Sequence, residues 1–202
     1  MRIRSARVVV HSSLDVKNWA ERVPDVEACR PSHCPRCGAA ARPLGGPLVL
    51  VGHGLRSRQV RGSLEAGAAP AITVLLVRRY RCRRCSGTTT VLPRGALAAR
   101  HYGASAIAWA CALYGMTGAS LAATRARVSP WRSEEPGWPT LGRWLRSVEA
   151  RALFPVVRPS QTNASARARA ERVAATVLAF APAGGVSLEA RVFAGAPLAA
   201  CA

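Results

Sequence analysis

Two cysteine pairs of the form C-x-x-C, Cys34/Cys37 and Cys82/Cys85, constrain this chain more than any other feature. Structural zinc sites take four ligands in a tetrahedron, commonly four thiolates, and a C-x-x-C turn presents two sulfurs from one knuckle. Cys34-Pro35-Arg36-Cys37-Gly38 has this form, with a glycine that lets the backbone turn back. Cys82-Arg83-Arg84-Cys85-Ser86-Gly87 follows directly on a strand-like run ending at Tyr80 and Arg81. The 44 residues between Cys37 and Cys82 exceed what a compact ribbon needs. The entropy cost of closing such a loop grows only logarithmically, however, and metal binding supplies on the order of 10 kcal/mol or more to small domains. Redox C-x-x-C motifs sit at a helix N-terminus beside a βαβ unit, whereas these pairs are flanked by Pro and Gly turns and a strand end. The expected cofactor is therefore Zn²⁺ held by Cys34, Cys37, Cys82 and Cys85. Four thiolates leave no open position for a catalytic water, so the expected site is structural. His33 and Cys29 lie nearby but break the paired geometry. Cys29, Cys111 and Cys201 are expected to be unpaired.

The chain has 202 residues, half of them hydrophobic and 19% charged, which is globular rather than disordered material. Its 29 basic residues against 10 acidic ones give a formal charge of +19. Such an excess attracts polyanions, nucleic acid first and acidic membrane second. Lys17 is the only lysine; that arginine bias is also what a GC-rich genome produces, so the sign of the charge is the informative part. Met1 to Val10 does not read as an export signal, and paired cysteines in such a basic chain point to a reducing, cytoplasmic setting. Ala104 to Ala123 carries no charge over a membrane-spanning length. Its large apolar residues are few, so it reads as a buried helix pair with a turn at Gly115-Met116-Thr117-Gly118.

The periodicities divide the chain. Arg7 to His11 reads as a strand and Asp15 to Arg22 as one or two helical turns. Pro47–Gly52 and Leu55–Arg61 read as two strands around a His53-Gly54 turn. Ile72 to Arg81 is the clearest strand, with Ile72, Val74, Leu76 and Tyr80 on one face and Thr73, Leu75, Val77, Arg79 and Arg81 on the other. After Pro93 the chain turns alanine-rich and helical. Ser105, Ser120 and Thr140 are candidate N-caps of three helices, the third carrying Leu141, Trp144, Leu145 and Val148 at i, i+3, i+4, i+7. Ser129 to Gly137 is a loop. A fourth helix spans about 164 to 181, and the tail from Pro182 has turn and possible strand character without a clear place. The expected fold class is α+β: an antiparallel zinc ribbon over 1–95, then an all-α, helix-turn-helix-like segment with a C-terminal helix over 96–202.

Arg78, Arg79, Arg81, Arg83 and Arg84 crowd the second knuckle, while Arg56, Arg58 and Arg61 lie on the preceding strand. Two antiparallel strands would join these sets into one stripe, and arginine donates bidentate hydrogen bonds to phosphate and guanine. In the third helix Arg143 and Arg146 project from the apolar stripe beside Thr140, as on a recognition helix. The long connection from Val128 to Thr140 departs from that motif, and a plain helical bundle accounts for the same segment. Arg167, Arg169 and Arg172 crowd the first turns of the fourth helix, where the helix dipole disfavours cations. An anionic partner would offset that; tolerated surface strain is the alternative. Strand transfer by two metal ions needs three carboxylates. Neither Asp15 nor Asp25, nor Glu21, Glu27, Glu65, Glu134, Glu135, Glu149, Glu171 or Glu189, makes such a set. No catalytic triad or phosphate-binding glycine loop is recognisable, so no enzyme activity and no small-molecule substrate are expected.

Cys34-Pro35-Arg36-Cys37-Gly38, the Gly52-His53-Gly54-Leu55-Arg56-Ser57-Arg58 segment and Val77-Arg78-Arg79-Tyr80-Arg81-Cys82-Arg83-Arg84-Cys85 resemble the N-terminal zinc-binding region of ISL3-type transposases. The resemblance covers about residues 30 to 128. It implies that the four cysteines are ligands, that the flanking arginines touch duplex DNA, and that a helix-turn-helix follows. The chain stops before any catalytic domain, like a stand-alone bacterial relative that keeps the DNA-binding half. The alternative expectation is an assembly module binding an acidic protein. RNA binding has thinner support, since Tyr80 is the only aromatic residue offered for stacking.

Overall fold

The structure is a computed structural model that describes residues 8–132, 135, 137–161, 163–184 and 187–201. Arg7, the expected start of the first strand, and Glu134 of the carboxylate survey lie outside the described residues. The chain is α+β and divides into two compact units, one of residues 1–59 and 74–94, the other of residues 60–73 and 95–202.

The first unit is built on a four-stranded sheet of order β1-β4-β3-β2, with β1 Val8–Asp15, β2 Leu50–Gly62, β3 Ala71–Cys82 and β4 Thr88–Arg94. It is mixed, not antiparallel as expected. β1 runs parallel to β4, pairing Val8 with Thr89 and His11 with Leu92, while β3 runs antiparallel to β4, pairing Tyr80 with Thr89. A parallel neighbour requires a crossover rather than a hairpin, and the 72 residues between β1 and β4 supply one that strand periodicity does not disclose. The short helix α1 (Val16–Glu21) follows β1, with Asp15 Oδ1 accepting from the Lys17 N–H at 2.9 Å. It buries Trp19, whose Nε1 donates to the Leu76 carbonyl at 3.0 Å.

Two strand expectations fail here. No turn interrupts β2 at His53-Gly54; Gly54 adopts φ +79° within one continuous strand. A glycine can take that conformation without ending the strand, so the local turn signal was misleading. On β3 the proposed apolar face is split. Tyr80 is fully buried, whereas Ile72, Val74 and Leu76 are exposed and Leu75 and Val77 of the opposite face are buried. Tyr80 lies under the segment that carries Cys29, Ala39 and Ala41, and its hydroxyl donates to the Val26 carbonyl at 2.6 Å. Cover by this segment, not strand period, decides what is buried.

The second unit is helical: α2 Ala104–Gly115, α3 Leu121–Val128, α4 Pro139–Glu149, α5 Ala166–Ala179 and α6 Leu188–Ala199. Every residue from Ala104 to Leu113 is buried, so α2 is a core helix surrounded by the others. No helix among the described residues is long and apolar enough to cross a membrane. The small side chains of α2 let neighbours approach closely. A Cβ on Gly115 would stand 2.3 Å from the Glu171 backbone nitrogen of α5, and one on Gly195 of α6 would stand 2.2 Å from the Val177 carbonyl oxygen. Tyr102, Trp138 and Trp144 pack edge-to-face against one another.

The cap expectations divide. Ser120 caps α3 through the Ala123 N–H. Ser105 lies inside α2, donating to the Phe193 carbonyl at 3.3 Å, and Gly103 is the cap residue. Trp138 precedes α4, with Pro139 opening it, so Thr140 is not the cap. The tail expected to have turn and possible strand character instead forms the helix α6, capped by Ser187 and carrying Pro197 within it. Arg167, one of the crowded cations, donates from Nη1 to the Tyr114 carbonyl at 2.5 Å and from Nη2 to the Ala119 carbonyl at 3.5 Å, and it stacks on the Tyr114 ring. It therefore serves the carbonyl end of α2, where a cation is favoured.

Candidate metal centre

The first knuckle is a small closed turn. The Cys34 N–H donates to the Ala39 carbonyl at 2.8 Å and the Gly38 N–H to the Cys34 carbonyl at 2.9 Å, with Gly38 at φ +69°. The second repeats it: the Cys82 N–H donates to the Gly87 carbonyl at 2.9 Å, and Ser86 stands at φ +55° where Gly38 stands in the first. The Arg83 N–H donates to the Val49 carbonyl at 2.9 Å, tying the second knuckle to the lead-in of β2.

These two turns bring Cys34, Cys37, Cys82 and Cys85 together, with all four sulfurs within 4.8 Å of one another. Cys34 Sγ lies 3.8 Å from Cys85 Sγ, and Cys37 Sγ lies 3.8 Å from Cys82 Sγ. A tetrahedral thiolate site with metal–sulfur bonds of about 2.3 Å has edges of about 3.8 Å. The two close pairs are thus two opposite edges of such a tetrahedron, each joining one knuckle to the other. All four cysteines are free thiols, not disulfides. Four cysteines so arranged can hold a metal ion.

Electrostatics points the same way. Burial pushes the Cys34 thiol up, but hydrogen bonds from the Arg36 and Cys37 backbone and from neighbouring thiols outweigh it and bring the group down to about 7. At Cys37 the Ala39 backbone favours the thiolate, yet desolvation and the other three cysteines drive the group up to about 11. Four thiols this close cannot all ionise against one another; a central cation removes that conflict and releases protons as it binds. Cys29 stays out of the cluster. Its Sγ donates to the Asp25 carbonyl at 3.3 Å and receives the Tyr80 hydroxyl at 3.5 Å. His33 is exposed beside Ser32.

The candidate arginines fall into distinct settings. Arg81, Arg83 and Arg84 are exposed at and beside the second knuckle. Arg79 is half-buried on β3, and Arg78 donates from Nε to the Pro24 carbonyl at 2.8 Å. On the neighbouring β2, Arg56 is exposed and Arg58 half-buried; burial and then the Arg56 charge push Arg58 below its ordinary value. Arg61 falls in the second unit, its guanidinium 4.5 Å from the Trp131 ring centroid. Thr140, Arg143 and Arg146 are also in that unit. Thr140 Oγ1 accepts from Arg143 Nη2 at 2.9 Å, and both Arg143 and Arg146 are exposed on α4.

Arg36 was missed. It is exposed, and its Cδ would lie 2.9 Å from a Cβ on Gly87, so it reaches across to the second knuckle. Its place between two ligand cysteines was the available signal. The sequence matches no protein-family model, and it matches no curated protein and no solved structure.

Proposed function

We propose that this chain is a non-enzymatic DNA-binding protein, in which a structural Zn²⁺ on Cys34, Cys37, Cys82 and Cys85 fixes a group of arginines for contact with duplex phosphates. The observation that carries the reading is the tetrahedral spacing of the four sulfurs with exposed Arg36, Arg81, Arg83 and Arg84 at and around them. Zinc suits an all-thiolate tetrahedron, and a closed set of four thiolates serves folding rather than catalysis. The +19 charge and the resemblance to the zinc-binding region of ISL3-type transposases support DNA as the polyanion. On this reading Arg56, Arg58 and Arg79 extend the contact along the sheet. The α3–α4 segment with Thr140, Arg143 and Arg146 adds a helix-turn-helix-like element.

Anisotropy with a labelled duplex tests this. Phosphate contacts predict affinity that falls steeply with salt through counterion release. Replacing Arg81 and Arg83 together with Ala should lower the log–log salt slope by about 2, since each arginine–phosphate pair accounts for about one. A salt-independent affinity, or a slope unchanged in that variant, would reject the reading.

A second reading has its own observation. Leu55 on β2 and Val74 and Leu76 on β3 stand 42%, 58% and 42% exposed, which suits contact with a protein. An acidic partner recovered with the wild type after nuclease treatment, and absent with Val74→Ser/Leu76→Ser, would favour an assembly module.

A further inference from the structure

We infer that the helical unit holds a pocket for one unpaired nucleotide, its base against the Trp131 indole and its phosphate on Arg125 and Arg132. The pocket runs along α3 and the turn after it, has a volume of about 380 Å³, and is lined by Ala122, Arg125, Ala126, Ser129, Trp131 and Arg132. That falls within the roughly 300–1,000 Å³ of ligand pockets and is far too small for a duplex. Ala122 and Ala126 are one helical turn apart and line it with little bulk.

The indole is 41% exposed, yet it is held in place. Arg61 sits over the ring, and Ser129 Oγ accepts from the Trp131 backbone N–H at 3.3 Å and from the Tyr102 hydroxyl at 3.1 Å, which fixes the turn that carries it. This is an aromatic surface set in advance, and base–aromatic stacking is the sequence-tolerant contact of single-strand binders. Arg125 Nε is removed from water with no hydrogen-bond partner, and Nη1 lies 4.0 Å from the Glu135 carboxylate. That 4.0 Å separation is longer than a charge-assisted hydrogen bond, and a phosphate oxygen at the Nη groups would make such a bond. Arg132 supplies a second cation, and among the described residues no carboxylate lines the pocket. Inorganic phosphate would leave the indole unused and an apolar molecule would leave the arginines unused; a nucleotide uses both. The inference does not rest on the duplex reading, whose carrying residues are the arginines around the metal centre in the other unit.

The test uses the full, metal-loaded chain and a single-stranded oligonucleotide carrying one 2-aminopurine. Binding to the wild type should quench the probe by stacking. Trp131→Ala should abolish the quench and weaken strand binding about ten-fold, while Trp131→Phe keeps most of both. Arg125→Gln should weaken binding yet leave the quench at saturation. Free dAMP that displaces the strand at comparable concentration would identify a free nucleotide as the occupant; failure to displace it would identify a strand-borne one. The inference is overturned if the wild type gives no quench, or if folded Trp131→Ala quenches as the wild type does. Should Trp131→Ala not fold, a wild-type response from Arg125→Gln in both affinity and quench overturns it. Duplex anisotropy run in parallel separates the two proposals, since the Arg81/Arg83 variant lowers the duplex salt slope and leaves the quench unchanged.

Discussion

The two units hold themselves together by different means. Among the described residues, the helical unit's core joins 28 buried hydrophobic residues, from Leu97 on α2's approach to Ala199 on α6. The sheet unit's cluster joins nine, and Cys34 and Cys82 are two of them. A core that small supplies little of the free energy needed to order its chain, and two of its members belong to the four-cysteine cluster that can hold a metal ion. The helical unit is a packing problem solved with alanine and glycine; the sheet unit is a small core that, on the proposed reading, a metal ion completes. The lesson is that cofactor loss and core damage should strike different halves of one chain.

Metal removal gives the largest expected effect. A strong chelator, or Cys82→Ser, should eliminate the bound metal and unfold the sheet unit, a loss on the order of 10 kcal/mol. The helical circular-dichroism signal should persist with its own melting transition. One transition, unmoved by the chelator, would erase the contrast. The reverse damage comes from Gly195→Ala, whose Cβ would stand 2.2 Å from the Val177 carbonyl oxygen. Overpacking of that kind costs about 1–3 kcal/mol. It should lower the helical transition while metal stoichiometry stays at its wild-type value; a fall in both would show that the units do not fail separately.

The smallest effect sharpens a comparison inside the sheet unit, between its two knuckles. They share a left-handed residue four positions after the first cysteine, Gly38 in one and Ser86 in the other. A left-handed non-glycine residue costs about 1–2 kcal/mol, of which glycine's extra chain entropy returns about 0.5–1. Ser86→Gly should therefore stabilise the metal-loaded sheet unit by about 0.5 kcal/mol, read as a small rise in its transition against an unmoved helical one.

What the sequence disclosed follows from how local each signal is. The C-x-x-C spacing needs only four consecutive residues to state a geometry, and the four sulfurs lie where that grammar puts them. The helices with strong stripes, such as Leu141, Trp144, Leu145 and Val148, were legible for the same reason. The features that failed depend on partners remote in sequence. Whether Tyr80 or Leu76 is buried depends on a segment about 50 residues earlier, and the parallel pairing of β1 depends on a strand about 80 residues later. Arg167 read as an electrostatic oddity because its acceptors, Tyr114 and Ala119, belong to another helix's end. Thr140 lost its cap role because Pro139 opens α4 two residues before the start a Thr140 cap would give, which puts Trp138 at the cap position.

The pairing of β1 with β4 also orders events during synthesis. β4 lies between β1 and β3 in the sheet, so the first strand has no neighbour to join until residues 88–94 have left the ribosome. All four cysteines have been made by residue 85. The last of these four cysteines thus leaves the ribosome before any of β4, and a metal ion bound at the four sulfurs would act as a clamp that brings the ends of the long crossover together before the sheet is complete.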